Sequence, residues 1–85
     1  MRSALLFLPL AACVAAPAGP DRAAQEAACA AVIAGHVGRP VAEVHPRWLT
    51  EAEGIAKVET LDGGRRHICD VDAAGRVLGY IHPDA

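Results

Sequence analysis

Three cysteines and four histidines are the residues of this chain whose chemistry depends on their spacing: Cys13, Cys29, Cys69, His36, His45, His67 and His82. Paired thiols form a disulfide in an oxidising compartment, whereas reduced thiolates and imidazoles together form zinc sites. Neither a C-x-x-C nor an H-x-x-x-H spacing occurs in the sequence. A cluster of Cys69, His67 and His36 would need reduced cysteines, so we predict no metal and no cofactor.

Cys13 follows an apolar segment and is expected to differ from the other two cysteines. Met1-Arg2 and the apolar residues 4–12 are typical of an export signal rather than of a folded domain. Leu10-Ala11-Ala12-Cys13 resembles the lipobox of bacterial lipoproteins, which implies lipidation of Cys13. We predict a signal peptide over residues 1–12 (lipobox 10–13) and a Pro/Gly tether over residues 13–20. Cleavage after residue 18, which would remove Cys13, is the alternative.

The remaining cysteines, Cys29 and Cys69, are an even pair in a small exported chain. Such a pair is most simply a disulfide, and we predict one here. The predicted location is the periplasm, with an N-terminal lipid as the only attachment to the membrane. A soluble periplasmic or secreted protein is the alternative.

The elements that position these residues are one helix followed by strands. Asp21 is a suitable N-cap for a helix over residues 22–36, which Gly38 and Pro40 end. Residues 41–45, 54–61, 65–72 and 76–82 have strand patterns, and residues 46–53 fit a loop, a helical turn or a continued strand. We therefore predict a single α+β domain over residues 21–85. Its N-terminal helix packs on a three- to four-stranded antiparallel sheet and is joined to it by the disulfide.

The turn at residues 73–75 fixes a register for the last hairpin. A three-residue loop pairs Val71 with Val77, Cys69 with Gly79 and His67 with Ile81. In this register Cys69 faces the helix. The opposite, outer face then carries an apolar patch within a charged border, formed by Ile68, Leu78 and Tyr80.

Charge and size restrict the function. The net charge of −2 argues against nucleic-acid binding, and no apolar run reaches the roughly 18 residues that a membrane span needs. An activated Cys69 beside His67 would be a nucleophile, but the disulfide would consume its thiol. We predict no enzyme activity. The patch of Ile68, Leu78 and Tyr80 is the first candidate for partner binding, and Trp48 is the second unless it covers one end of the core.

Four short segments contain the two cysteines, two glycines and the strand patterning: Cys29-Ala-Ala-Val32, Glu51-Ala-Glu-Gly54, Ile68-Cys69-Asp70-Val71 and Gly75-Arg76-Val77. In these segments the chain resembles a group of small exported proteobacterial proteins of unknown function. The same helix-then-hairpins layout is similar to PepSY-type modules, which implies extracytoplasmic binding and peptidase inhibition.

A second resemblance, through Val71 to Val77, is to small bacterial peptidase-inhibitor lipoproteins. The chain departs from them at Arg66-His67-Ile68-Cys69 and at its C-terminus. We therefore expect a non-catalytic envelope lipoprotein that binds an envelope protein or peptide, with a periplasmic peptidase inhibitor as the alternative.

Overall fold

One helix packs on one face of a four-stranded antiparallel sheet in the computed structural model, which describes residues 21–83. In chain order the elements are helix α1 (Arg22–Val37), a 3-10 turn (Val41–Glu43), and strands β1 (His45–Ala52), β2 (Ile55–Asp62), β3 (Arg65–Asp72) and β4 (Val77–Ile81). The strands pair in the order β1-β2-β3-β4, so each is joined to the next by a hairpin. The predicted α+β fold is confirmed, with four strands in the sheet.

The ends of α1 lie where its capping residues predict them. The Asp21 carboxylate accepts hydrogen bonds from the backbone N–H groups of Ala23, at 3.0 Å, and Ala24, at 3.3 Å. At the other end Gly38 adopts a φ of 74°, and its N–H donates to the Ala34 carbonyl at 2.9 Å. A left-handed residue at this position suits glycine, which has no Cβ to oppose it.

The first strand begins later than the sequence predicts. Residues 41–45 were expected to form a strand, but Val41–Glu43 is a 3-10 turn and β1 runs over His45–Ala52. Residues 46–53, which the sequence left undecided between a loop, a helical turn and a continued strand, thus lie mostly within β1. Pro46 is compatible with this because β1 is an edge strand, where a missing N–H on the outer side breaks no pairing.

The core lies between α1 and the sheet. Six side chains without solvent exposure form it: Cys29, Ile33, Ala56, Val58, Cys69 and Val71. Ala56 pairs with Val71 and Val58 with Cys69, and the prediction that Cys69 faces the helix is confirmed. Because two of the six residues are bonded to each other, the disulfide is itself part of the core.

Strand β4 contains a bulge that the predicted register lacks. Val77 pairs with Val71 as predicted, but Leu78 has no partner and Gly79 pairs with Asp70. An extra residue of this kind leaves two residues on one strand opposite one on the other.

All pairing beyond the bulge is shifted by one residue. Cys69 faces Tyr80 rather than Gly79, and Ile68 faces Ile81. Because successive residues of a strand point to opposite faces, the shift moves Tyr80 to the helix side. It moves Ile81 to the outer side, where it is 61% exposed. The predicted faces of these two residues were therefore wrong.

Candidate functional site

Cys29 and Cys69 form the predicted disulfide, which joins α1 to β3. The sulfur atoms are 2.11 Å apart, the Cα atoms are 5.9 Å apart, and both residues are fully buried. The Thr60 hydroxyl donates a hydrogen bond to the Cys29 sulfur at 3.1 Å. A disulfide in a small domain is typical of an oxidising compartment. The predicted signal peptide, the lipidation site Cys13 and the tether lie outside the described residues.

The predicted contact patch is present only in part. Leu78 is 55% exposed at the bulge, and Ile68 lies on the outer face. Tyr80 does not lie beside Ile68 as expected, because the bulge turns it towards α1, where its ring centroid is 5.1 Å from that of His36. Ile81 takes the place predicted for Tyr80 opposite Ile68.

A buried carboxylate lies on the outer face beside this aliphatic pair. Glu59 is 5% exposed and accepts hydrogen bonds from Arg66 Nε at 2.8 Å and from the Arg47 guanidinium at 3.2 Å. The hydrogen bond from Arg66, together with the charges of both arginines, holds the pKa of Glu59 below its usual range, although burial opposes this. Two guanidinium groups therefore share one carboxylate.

The sequence analysis did not identify Glu59 as a buried residue. The available signal was the register of the β2–β3 hairpin, which pairs Glu59 with Ile68 and brings it close to Arg66. The pairing of Arg47 with Glu59 depends on β1, which the sequence did not resolve.

Trp48 packs against the core. Its indole N–H donates to Gln25 Oε1 at 2.8 Å, and the Arg22 guanidinium lies 3.8 Å from the centroid of its ring. Its backbone N–H donates to the Glu26 carboxylate at 2.8 Å. These contacts fit the interpretation of Trp48 as a cover over one end of the core, while its role in partner binding stays a prediction.

Three of the four histidines meet where the end of α1 lies over the sheet. One ring nitrogen from each of His36, His67 and His82 lies within 4.8 Å of the other two. The ring centroids of His67 and His82 are 4.0 Å apart. The sequence analysis considered His36 and His67 together, but its register paired His67 with Ile81 and so did not include His82. His45 is exposed at the start of β1, on the opposite edge of the sheet from β4.

The bulge in β4 explains the position of His82. Ile81 pairs with Ile68, so the next residue along the chain lies beside His67. In the predicted register Ile81 would have paired with His67 and His82 would have pointed outward.

His67 is the most buried member of this histidine cluster. It has no solvent exposure, and neither of its ring nitrogens has a hydrogen-bond partner within the described part of the chain. Burial lowers the pKa of His67, and the neighbouring His82 and His36 lower it further. The backbone of Thr60 acts in the opposite direction and raises the pKa of His67. Its contact with the ring does not have the geometry of a hydrogen bond.

Comparison with models of known families, with curated proteins and with solved structures finds no match for this chain. The resemblances drawn from its sequence therefore stay predictions. The fold and its surfaces define a small disulfide-linked α+β domain whose outer sheet face is covered by no element of residues 21–83. Within those residues no helix is long and apolar enough to cross a membrane.

Proposed function

We propose that this protein is a non-catalytic exported module of the cell envelope that binds a protein or peptide partner through the outer face of its sheet. The observation that supports this most directly is the 61% exposure of Ile81, which pairs with Ile68 on the outer face. Leu78, at the bulge of the same strand, is 55% exposed. Exposed aliphatic groups within a charged border are typical of contact surfaces.

Charged pairs lie beside this surface. Arg47 and Arg66 bind the Glu59 carboxylate, and Lys57 binds Asp70 at 2.6 Å. A partner that presents aliphatic side chains within a polar rim complements this surface.

Contact through the face of the sheet is favoured over addition of a strand to its edge. Both edge strands carry a bulge, at Leu49 in β1 and at Leu78 in β4, and β1 also contains Pro46. Bulges and proline on edge strands disfavour pairing with another chain. The expected occupant is therefore a side-chain surface of the partner rather than its backbone.

The envelope location rests on the N-terminal sequence and on the disulfide. Acylation of Cys13 would hold the domain close to the membrane through a short Pro/Gly tether. The Cys29–Cys69 bond agrees with an oxidising compartment on the same route. The intact mass of the protein isolated from its native envelope measures whether the chain starts at Cys13 and carries a lipid.

Photo-crosslinking in the native envelope tests the partner surface. A photoreactive amino acid at position 81 should give a discrete adduct, whereas the same group at Val41 should not. Val41 is 54% exposed but lies in the 3-10 turn, away from β4, and is a matched control.

The variant Leu78→Asp should abolish the adduct formed from position 81, while Val41→Asp should leave it unchanged. Retention of the disulfide and of the fluorescence of Trp48 shows that each variant is folded. An adduct that forms equally from position 41, or that survives Leu78→Asp in a folded protein, would contradict the proposal.

A further inference from the structure

The histidine cluster of His36, His67 and His82 is separate from the proposed partner surface and lies on the helix side of the sheet. His36 is in the last turn of α1, His67 is on β3, and His82 directly follows β4. Residues from three different elements thus converge on one point.

From this geometry we infer a binding site for a divalent late transition-metal ion, such as zinc, formed by these three imidazoles. Imidazole nitrogen is a preferred ligand of zinc and copper, and three histidines leave one position of a tetrahedral ion open. The inferred site uses neither cysteine, so it is compatible with the oxidised disulfide. It also differs from the mixed cysteine and histidine site that the sequence analysis considered and set aside.

The distances are within reach of coordination. Ligand nitrogens around a tetrahedral zinc ion are about 3.3 Å apart, which follows from Zn–N bonds of about 2.0–2.1 Å. One nitrogen from each ring already lies within 4.8 Å of the other two. The remaining difference is small enough for side-chain rotation, since His36 is exposed and His82 lies beyond the end of β4.

The buried imidazole is the second observation that points to a ligand. His67 has no solvent exposure, and both of its ring nitrogens lack a hydrogen-bond partner among residues 21–83. Buried polar atoms in folded proteins are almost always paired, and an unpaired one requires an explanation. A metal ion held by His67 supplies a partner for one of these nitrogens. The ring of His82, centred 4.0 Å away, is the next ligand.

The site remains open on one side. His36 is exposed and His82 is half-buried, so an ion can reach the cluster from solvent without disturbing the core. Tyr80 lies beside His36, with 5.1 Å between the ring centroids, and borders the cluster. The fourth position of the ion would therefore face water.

Zinc titration of the full chain tests the inference. The protein is prepared without a histidine tag, with the disulfide intact and with the Cys13 thiol blocked by alkylation, because a free thiolate would itself bind zinc. Isothermal titration calorimetry should show one zinc ion bound per chain. Zinc should also raise the urea midpoint of unfolding, because an ion bound only by the folded state stabilises it.

Three single variants separate the site from non-specific binding. His36→Ala and His82→Ala should each weaken zinc binding at least about tenfold, since each removes a direct ligand. His45→Ala is the matched control, because His45 is an exposed histidine on the far edge of the sheet, and its affinity should equal that of the unmodified protein. The buried His67 is left intact so that every variant keeps its core.

The result that overturns the inference is also defined. Absence of zinc binding by the folded, oxidised protein would make the three rings a packing cluster only. Binding that is unchanged in both His36→Ala and His82→Ala, or that His45→Ala weakens equally, would show that the ion binds elsewhere. Either result leaves the proposal for the outer sheet face untouched, because the two surfaces share no residue.

Discussion

Reduction of the Cys29–Cys69 disulfide should bring this domain close to the limit of its stability. The bond closes a loop with a sequence separation of 40 residues. The chain-entropy relation gives about 4 kcal/mol for a loop of that length. A folded chain of about 60 residues has a free energy of unfolding of roughly 3 to 9 kcal/mol. One covalent bond therefore accounts for a large share of the total.

Urea unfolding followed by tryptophan fluorescence measures this effect directly. Trp48 is the only tryptophan of the chain and packs against the core, so its emission reports the folding of the whole domain. A domain of this size loses about 1 kcal/mol of stability per molar urea. Reduction should therefore lower the midpoint by about 4 M, or leave the protein unfolded without urea.

A double variant provides the control for the reductant. Cys29→Ala combined with Cys69→Ala contains no cross-link, so its midpoint should be low and should not respond to the reducing agent. If the midpoint of the unmodified protein changed by less than about 1 M on reduction, the loop-closure reasoning would be refuted.

Three further predictions concern the ends and interior of α1 and the outer face of the sheet. Gly35→Ala should stabilise the domain by about 0.5–1 kcal/mol, because Gly35 is within the helix and an added Cβ would meet no atom within 4 Å. Gly38→Ala should destabilise the domain by about 1 kcal/mol, because an alanine is strained at the φ of +74° that Gly38 adopts. If the two variants shifted the urea midpoint in the same direction, this pair of predictions would be contradicted. Glu59, whose pKa is lowered from 4.5 chiefly by the hydrogen bond from Arg66, contributes stability above pH 4.5 that is lost as the pH falls through its folded-state pKa. The difference in urea midpoint between the unmodified protein and Glu59→Gln should therefore shrink on acidification, and a difference that is independent of pH would be evidence against this role.

The parts of the fold that depend on local signals could be predicted from the sequence. The side chain of Asp21 determines where α1 begins, and the conformational freedom of the Gly38 backbone determines where it ends. The even pair of Cys29 and Cys69 predicts the disulfide, and the alternation of residues along β3 places Cys69 on the same face as Val71, towards the helix. Both steps depend only on a residue count and on parity, and neither changes when the register of β4 shifts.

The parts that depend on tertiary contacts could not be predicted in this way. Val41–Glu43 has the composition of a strand but forms a 3-10 turn, because the chain must pass from the end of α1 to the edge of the sheet before β1 begins. The bulge at Leu78 has no local signal that distinguishes it from regular pairing. The alternation of apolar and polar residues along β4 is compatible with the regular register and with the bulged one. The histidine cluster depends on the bulged register, and the sequence analysis therefore missed it.

The bulge also has a consequence for comparing this chain with other sequences. Val77, Tyr80 and His82 lie on one face although their spacing is three and then two residues, V-x-x-Y-x-H, opposite the H-x-C-x-V of β3. A chain that lacked the unpaired residue would present the same three side chains to the helix with the spacing V-x-Y-x-H. The two spacings therefore describe the same surface. A pattern search that accepts both spacings would place such chains in one group, whereas an alignment that allows no gap in β4 would separate them.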